Sequence, residues 1–566
     1  MKKSHSKRYN LNMLSCALAA CLLMAAPTAF AQSTSATLRG QVAAGSTITV
    51  TNVETGLRRT AQGGATGSYT IPGLPPGTYR VEGGSGGTRD ITLAVGQVAT
   101  VNLGQAAPAI PADGVTTLDR VVASAEFVPE TKTSEVATYV TAKQIEMLPQ
   151  NSRNFLAFAD TVPGMLFTDN GSESRIRSGA QGANNINVFI DGVGQKNYVT
   201  PGGITGQDDS PGNPFPQSAI GEFKVITSNY KAEYDQISSA AITAVTRSGS
   251  NDFKGAVFWD RYTEAWRKPT PDEEVAGSKT EEKYEQFGAW VGGAIIKDRL
   301  HYFLSYEGKD IIRPVSIEPP AQVNLANLPE SIRSEFGATS RPFKSDLYFG
   351  KLSFQASDDH LIEFSARRRE ELNLSGIGGT GARSYATDIP NKETRLDLRS
   401  VYSAQDWMND AHITYESAGY NPSPVENGTS ARYVVINPTN PGSASNPNLL
   451  TVLNTGSGPS FQDKSQKGWA IQDDFTWFGI DGHTIKAGFK YKKIDLKAFQ
   501  QFPPFPRYWY DINESMTLPF RVEYTSPRSG RDPFVSTGNT QFGIYIQDDW
   551  EVTDKLMVNM GIRWDV

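Results

Sequence analysis

Beyond Phe253 the chain alternates short polar turns with long connections, and few folds accommodate that rhythm. Lys297-Asp298-Arg299 separates two β-prone runs, Phe287–Ile296 and Leu300–Glu307. Ser357-Asp358-Asp359 separates Leu347–Gln355 from Leu361–Arg368, and Met408-Asn409-Asp410 separates Thr394–Trp407 from Ala411–Glu416. Residues 479–482 separate Trp469–Phe478 from Thr484–Leu496, and Thr553-Asp554-Lys555 separates Phe542–Val552 from Leu556–Trp564. Between these hairpins lie long connections at 310–344, 370–392, 417–466 and 497–539. A β-barrel that crosses a membrane has this pattern, with short turns on one side and long loops on the other.

The strands agree in detail. Leu556, Val558, Met560, Ile562 and Trp564 share one face, and Lys555, Asn559, Gly561 and Arg563 share the other. A sandwich also alternates with period two. Runs of about 9 to 13 residues are longer than most soluble strands, and they favour the barrel. Hydrophobic content is only 38%, which suits a barrel because alternate residues face a polar lumen. With Phe253–Tyr262 the count reaches 11 strands. Bacterial barrels have even counts, so the expectation is a partial barrel belonging to a longer polypeptide.

The first 31 residues read as an export signal. Lys2, Lys3, Lys7 and Arg8 precede an apolar stretch, Leu11 to Met24, and Ala29-Phe30-Ala31 forms a cleavage site. Leu18-Ala19-Ala20-Cys21 offers a rival lipoprotein site. Both cysteines, Cys16 and Cys21, lie in this segment, so thiolate chemistry and disulfides are excluded beyond it. No apolar run reaches the length of a helical membrane span. The net charge of -6 gives no reason to expect a nucleic-acid partner.

Residues 34–104 predict a small β-sandwich of short strands. Gly67, Tyr69, Ile71, Leu74, Gly77 and Tyr79 carry a pattern that resembles the carboxypeptidase-regulatory-like domain, which implies a structural or interaction module without catalysis. A linker spans 105–129 and contains the β-prone Val121-Val122-Ala123-Ser124-Ala125, able to add to a partner's sheet edge or to start the next domain. Residues 130–250 predict an α+β domain. Thr141 and Gln144 form a capping box, and Ser152 to Thr161 reads as a second short helix. Ser174–Gly179, Asn187–Val193, Phe223–Thr227 and Ile242–Thr246 read as strands, with a tight turn at Asp191-Gly192 and a loop at 194–217.

Ile176-Arg177-Ser178-Gly179, Phe189-Ile190-Asp191-Gly192-Val193 and the stretch Ile220 to Gly255 together resemble the plug of a TonB-dependent outer-membrane receptor. The front domain points to the subgroup with a carboxypeptidase-regulatory-like domain, and residues 251–566 correspond to the partial barrel. The resemblance implies the first half of a 22-stranded barrel, an outer-membrane location in a Gram-negative cell, and no enzyme activity. It implies energy-coupled uptake of a large scarce solute: a metal chelate, a cobalamin-like molecule or an oligosaccharide. The implied partners are a TonB-type inner-membrane complex, outer-membrane lipid and the solute, and Val121 to Ala125 is the TonB-box candidate. Arg175, Arg177, Glu222, Lys224, Glu233 and Arg247 are the candidate plug charge network, since buried charges persist when paired. Asp235 to Ser239 stands where the family usually has glycines, so the turn is expected to differ.

Asp208, Asp209, Tyr508, Trp509 and Tyr510 are loop candidates for touching a ligand, with interface or loop-core packing the equal alternative for the three aromatics and calcium binding a weaker one for the Asp pair. No phosphate loop, zinc motif or nucleophile elbow occurs, and no cofactor is implied. His301, His360, His412 and His483 are expected at or beside the short turns as surface or interface residues. Asp473-Asp474 forms a carboxylate pair within a strand. The alternative function is a surface adhesion, signalling or protein-secretion component on the same scaffold.

Overall fold

The computed structural model describes residues 34–83, 87–103, 126–127, 133–150, 152–169, 174–200, 204, 210–436, 442–443, 446–526, 533–553 and 555–566. The TonB-box candidate Val121 to Ala125 and the loop pair Asp208 and Asp209 lie outside the described residues.

Two small sheets form the front domain. Ala36–Gln41 pairs with Ser68–Leu74 and Val98–Thr100; the other sheet runs Arg58–Gln62, Thr47–Asn52, Gly77–Gly83, Thr88–Leu93 and Glu126–Phe127. Leu38, Ile48, Val50, Ile71, Tyr79, Val81 and Ile91 fill the space between them. Tyr79 donates from its hydroxyl to the Pro75 carbonyl at 2.6 Å and ties down the Pro-Gly turn. The strand Arg58–Gln62 is an element that the sequence reading did not contain.

The second unit is a five-stranded mixed sheet in the order Val193–Gly194, Ile186–Ile190, Ala240–Thr246, Ile220–Ser228, Val136–Val140. The capping box of Thr141 and Gln144 starts the helix Ala142–Met147 as expected. Residues Phe155–Thr161 form a 3-10 helix rather than an α-helix, capped by Asn154. Val136–Val140 and Met165–Asp169 are further strands that were not expected. Phe155, Phe223, Val225, Ile242 and Ile176 are buried in one core. Phe303 and Phe349 of the third unit join the same core, so the second unit packs directly against that wall.

The wall is one antiparallel sheet. Its strands are Lys254–Thr263, Lys283–Ile296, Leu300–Ile317, Gly337–Ser357, His360–Ser375, Thr387–Ser403, Trp407–Tyr420, Phe461–Trp477, His483–Gln501, Val535–Thr553 and Leu556–Asp565, each paired with the next. Several run well past the expected ends; Leu300–Ile317 and Gly337–Ser357 pair along 18 register positions. The first and last of these strands are the sheet's two ends. The side-chain pattern inverts that of a soluble protein. Leu304, Leu352, Phe364, Leu398, Ile413, Ile546 and Ile562 are exposed on the outer face, while Glu307, Lys309, Lys351, Glu363, Arg369, Glu393 and Arg399 are buried on the inner one. A lipid-facing surface and a polar lumen require that inversion. Near the short turns, His360, Tyr402, Trp407 and Phe475 form a chain of rings 5.3 to 5.7 Å apart. Such aromatic rows sit at membrane interfaces. No helix among the described residues is long and apolar enough to cross a membrane.

One turn lies elsewhere than expected. Ala404-Gln405-Asp406, not Met408-Asn409-Asp410, joins its two strands, because Ser403 pairs with Met408 and the ladder continues from there. His412 therefore lies well inside a strand and is buried at 1% exposure. His301 is buried as well, with Nε2 3.0 Å from the Asn251 side-chain oxygen. Neither is a surface residue. Asp473 and Asp474 do not form a pair, because successive strand residues face opposite sides. Asp474 points inward and accepts from the Tyr545 hydroxyl at 2.9 Å, whereas Asp473 accepts from the Asn409 amide.

The long connections are structured in part. Leu449–Gly456, Ser430–Ile436, Arg507–Asp511 and Arg521–Glu523 make a four-stranded sheet beyond the wall. Trp509 is enclosed there between the guanidinium groups of Arg432 at 4.5 Å and Arg521 at 4.7 Å, and its indole N–H donates to Glu523. Tyr510 stacks on Tyr433, and Tyr508 is half-buried. Trp509 is thus a packing residue of this loop sheet, while Tyr508 and Tyr510 are both half-buried.

Candidate functional site: the central unit in its seat

The second unit meets the wall where wall residues point inward; beside the apolar contact at Phe303 and Phe349, many of the contacts are ionic. The turn at Asp191-Gly192 has φ of 49° and 90° at its two residues, the geometry of a tight hairpin that glycine makes easy. It presents the Asp191 carboxylate, which accepts from the Thr246 backbone N–H at 2.9 Å and its hydroxyl at 2.5 Å. The wall supplies Lys351, whose ammonium lies 3.6 Å from Asp191 and 3.1 Å from Glu363. Burial alone would raise the Asp191 pKa; the Lys351 charge and the Thr246 bonds hold it below the usual range. Behind them Glu363 pairs with Arg399 at 3.3 Å, Arg399 with Asp410 at 2.6 Å, and His412 sits between Asp397 and Asp410. A continuous chain of charges thus leads from the turn into the wall.

A second latch uses the segment after the strand Ile220–Ser228. Lys231 pairs with Asp549 at 2.7 Å, Glu233 with Lys486 at 3.1 Å and Asp235 with Lys490 at 2.5 Å. Three ions spaced by two residues meet three inward wall ions. Gln547 accepts from the Glu233 N–H at 3.1 Å, and Arg563 reaches the carbonyls of Ala232 and Glu233. Gln236 takes a left-handed φ of 54° in the stretch where glycines were expected. The turn is therefore made, with the strain that a non-glycine residue brings.

A third group lies beside residues 192–198. Arg367 and Arg395 share Glu393, and Arg395 and Lys492 share Glu416. From this cluster Arg367 donates to the Gln195 side chain, Arg395 to the Gly194 carbonyl, and nearby Gln472 to the Gly192 carbonyl. A fourth joins Arg153 to Glu307 at 3.0 Å and Ser210 to Glu371 at 2.6 Å.

The six candidate charges do not form one network. Glu233 bridges to the wall as described. Lys224 pairs within the unit, 2.6 Å from Glu135, with both side chains buried. Arg247 pairs with Glu146 at 3.0 Å and lies over the Trp290 ring of the wall at 4.5 Å. Arg175 is half-buried and Arg177 exposed on the strand Ser174–Ser178. Glu222 turns towards the front domain, where it accepts from the Val95 backbone N–H. Burial pushes its pKa up to about 7, against the lowering effect of that hydrogen bond. The protonated acid is the form favoured under the front domain. Its contribution is full below the ordinary value of 4.5 and is lost as pH rises through about 7. An infrared carboxyl band that fades between about pH 6 and 8, and is missing in Glu222→Gln, is the expected observation; a band that fades near pH 4.5 would refute it.

Lys231, Asp235, Asp191 and all of the wall partners escaped the sequence reading as members of this network. A signal existed for the wall. Arg367, Arg369 and Glu371, like Glu393, Arg395 and Arg399, fall at even spacing along single strands. In a barrel wall such residues share the lumen face.

Known proteins bear on the same arrangement. The outer membrane beta barrel domain family matches residues 245–324 and 311–566, more than half of the chain, and the carboxypeptidase regulatory-like domain matches residues 34–104. The TonB-dependent transporter Oar of Myxococcus xanthus is 22% identical over 476 residues, covering 70% of this chain and 44% of that protein. The chain thus spans less than half the length of that relative. The fold is similar to the outer membrane transporter YddB from Escherichia coli, with a TM-score of 0.53 at 13% identity, covering 76% of this chain and 56% of the other. It is also similar to the ferric enterobactin receptor of Pseudomonas aeruginosa in complex with BCV-L6, with a TM-score of 0.51 at 15% identity over 77% of this chain and 58% of that one.

Proposed function

Because the chain belongs to the outer-membrane β-barrel family, as a TonB-dependent receptor with a carboxypeptidase-regulatory-like front domain, we propose that it takes up a large scarce solute across the outer membrane under the control of its plug. The family is one of receptors and not of enzymes. Metal chelates, cobalamin-like molecules and oligosaccharides are the solute classes in view.

The observation that carries this reading is the way the plug is held. Opposite charges on the plug and the lumen wall meet in separate latches, at Asp191 with Lys351 and along Lys231, Glu233 and Asp235. Ion pairs of this kind hold firmly while dry, yet each partner is readily hydrated once displaced. A plug that must stay seated at rest and shift under force is served by such a seat better than by an apolar weld. In this reading the pull comes from a TonB-type inner-membrane complex that adds as a strand to Val121 to Ala125.

The test separates binding from energy coupling. Purified protein is screened by thermal shift against ferric chelates, cobalamins and oligosaccharides, and the class that stabilises it is then followed into cells. Deleting 121–125 is expected to leave the shift unchanged and to abolish accumulation. Accumulation that survives the deletion would refute energy coupling through this segment. A chain with no ligand in any class, whose loss impairs attachment or secretion instead, would favour the alternative use of the scaffold.

A further inference from the structure

The front domain lies across the mouth of the barrel where the short turns are. It reaches the first four of them and the strand end beside the fifth. Asn251, just ahead of the first wall strand, donates its N–H to the Glu54 carbonyl at 2.8 Å, and Lys254 pairs with Glu54 at 2.7 Å. Asp298 of the first turn lies against Gly56. Arg59 is buried facing Asp358 and Asp359 of the second turn. Gly73 abuts Ser403 at the third. Arg39 covers the Phe478 ring at the fourth and pairs with Glu551, beside the fifth, at 3.0 Å. Ser35 also reaches Arg399 behind the Asp191 latch.

The contact is close at Gly73. Its φ is 70°, and a Cβ there would lie 1.9 Å from the Ser403 hydroxyl oxygen and 3.2 Å from the Ser403 Cβ. Only a residue without a side chain lets the turn Leu74 to Pro76 approach the wall this far. Beneath the domain is a cavity of about 540 Å³ bounded by Leu57 and Leu93 of the front domain, Glu222 and Ser248 of the plug, and Lys351 and Arg399 of the wall. It reaches the Asp191 latch from the short-turn side.

Two features make this seat releasable. Arg59 is buried, and among the described residues none of its three guanidinium nitrogens makes a hydrogen bond. Glu222 is covered with a single backbone donor, Val95. A buried charge without a hydrogen bond opposes the state that buries it, and a carboxyl covered in this way is kept from ionising, so lifting the domain returns both groups to water. The apolar part of the interface and the pairs at Arg39 and Glu54 work in the other direction.

We propose that the front domain is a releasable cap that closes the short-turn mouth of the barrel over this chamber, so that a solute passing the plug leaves only after the cap has lifted. The strand Glu126–Phe127, which follows the TonB-box candidate, adds to the front domain beside Thr88–Leu93. A pull on the chain at that point therefore bears on the cap as well as on the plug. The proposal deepens the uptake reading and rests on it.

The experiment uses the full chain in isolated outer membranes, where the absence of cysteine beyond Cys21 gives a clean background. In Glu54→Cys/Lys254→Cys the two side chains that pair at 2.7 Å between the front domain and the wall are replaced by thiols within reach of a short bis-maleimide. The reagent is expected to bridge both thiols, read by mass, as it does in the internal control Arg80→Cys/Asp90→Cys, whose residues are paired across one sheet. The second readout is Ser248→Cys, a reporter on the chamber wall, challenged with a polymer-tagged maleimide too large for the chamber. Gly73→Asn opens the cap, since asparagine tolerates the left-handed backbone while its Cβ collides with Ser403. Labelling is expected to be about tenfold faster in Gly73→Asn than with the cap seated. Heat-modified gel mobility shows that each variant retains its barrel. A control that cross-links while the Glu54 and Lys254 positions do not would overturn docking. Equal labelling rates would overturn closure. Neither readout involves transport, so failure here leaves the uptake reading standing, and failed uptake leaves the cap standing.

Discussion

Lys351→Ala is expected to weaken the seating of the plug by about 3–5 kcal/mol, the range for removing one partner from a buried charge group. The ammonium lies between Asp191 and Glu363 and donates to the Thr246 hydroxyl at 3.3 Å. Without it, two buried carboxylates share only Arg399, which is already engaged by Asp410. Most of the loss comes from the charges left behind. Lys351→Met combined with Asp191→Asn and Glu363→Gln should therefore lose much less than Lys351→Ala alone. The denaturant midpoint for plug release inside an intact barrel measures the difference, and leakage of a bulky antibiotic through the outer membrane reports the opened lumen. A midpoint unchanged in the alanine variant would mean that the latch contributes nothing to holding the plug.

Phe223→Ala should be as damaging by a different route. Phe223 is fully buried, and its ring meets the edge of Phe155 at a centroid distance of 5.7 Å. Its strand lies between Ala240–Thr246 and Val136–Val140, so the surrounding backbone is hydrogen-bonded on both sides and cannot collapse into the space. Loss of transfer free energy plus the cavity amounts to about 3–5 kcal/mol. Since Phe303 and Phe349 of the wall belong to the same core, the plug should loosen in its seat while the barrel stays folded. Hydrogen exchange checks this. Protection is expected to fall in Ile220–Ser228 and Ala240–Thr246 and to persist in Gly337–Ser357. A uniform fall through wall and plug would show that the two unfold as one unit.

The two experiments probe different kinds of cohesion. The core of the plug is apolar and internally satisfied, with strand ladders and packed rings. Its seat adds ion pairs to the apolar contact at Phe303 and Phe349, and many of the partners lie far apart in the chain. Loss of Lys351 should free an intact plug, whereas loss of Phe223 should soften the plug itself. Near-native protection in the freed plug of Lys351→Ala would separate the two.

The barrel was legible from local signals. Turn residues such as Lys297-Asp298-Arg299 lie where a chain must reverse, and period-two alternation along Leu556 to Trp564 tells which side chains face lipid. The turn near Met408 was misplaced because Asn409 and Asp410 are turn-prone in isolation. In the fold Asp410 is held by Arg399 on the neighbouring strand, an interaction that turn propensity does not contain. For the aromatic run Tyr508 to Tyr510, ligand contact and loop packing read alike in the sequence. In the fold the parallel pairing of Arg507–Asp511 with Ser430–Ile436 brings Arg432 over the Trp509 ring, and the antiparallel pairing with Arg521–Glu523 brings Arg521 there.

Turn chemistry and strand periodicity, each written within a few residues, were enough for a membrane barrel, a small front β unit and an α+β domain between them; the resemblance to a receptor family is what made that domain a plug. Periodicity could also say that Lys351, Arg399 and Glu393 face inward. It could not say what each would meet. Whether Lys351 lies opposite Asp191, whether Lys486 reaches Glu233, and whether the front domain rests along the short turns depend on strand stagger and on the placement of one domain inside or across another. Only the tertiary structure decided those pairings, because a charge in a lumen is selected by the geometry of its distant partner and not by its neighbours in the chain.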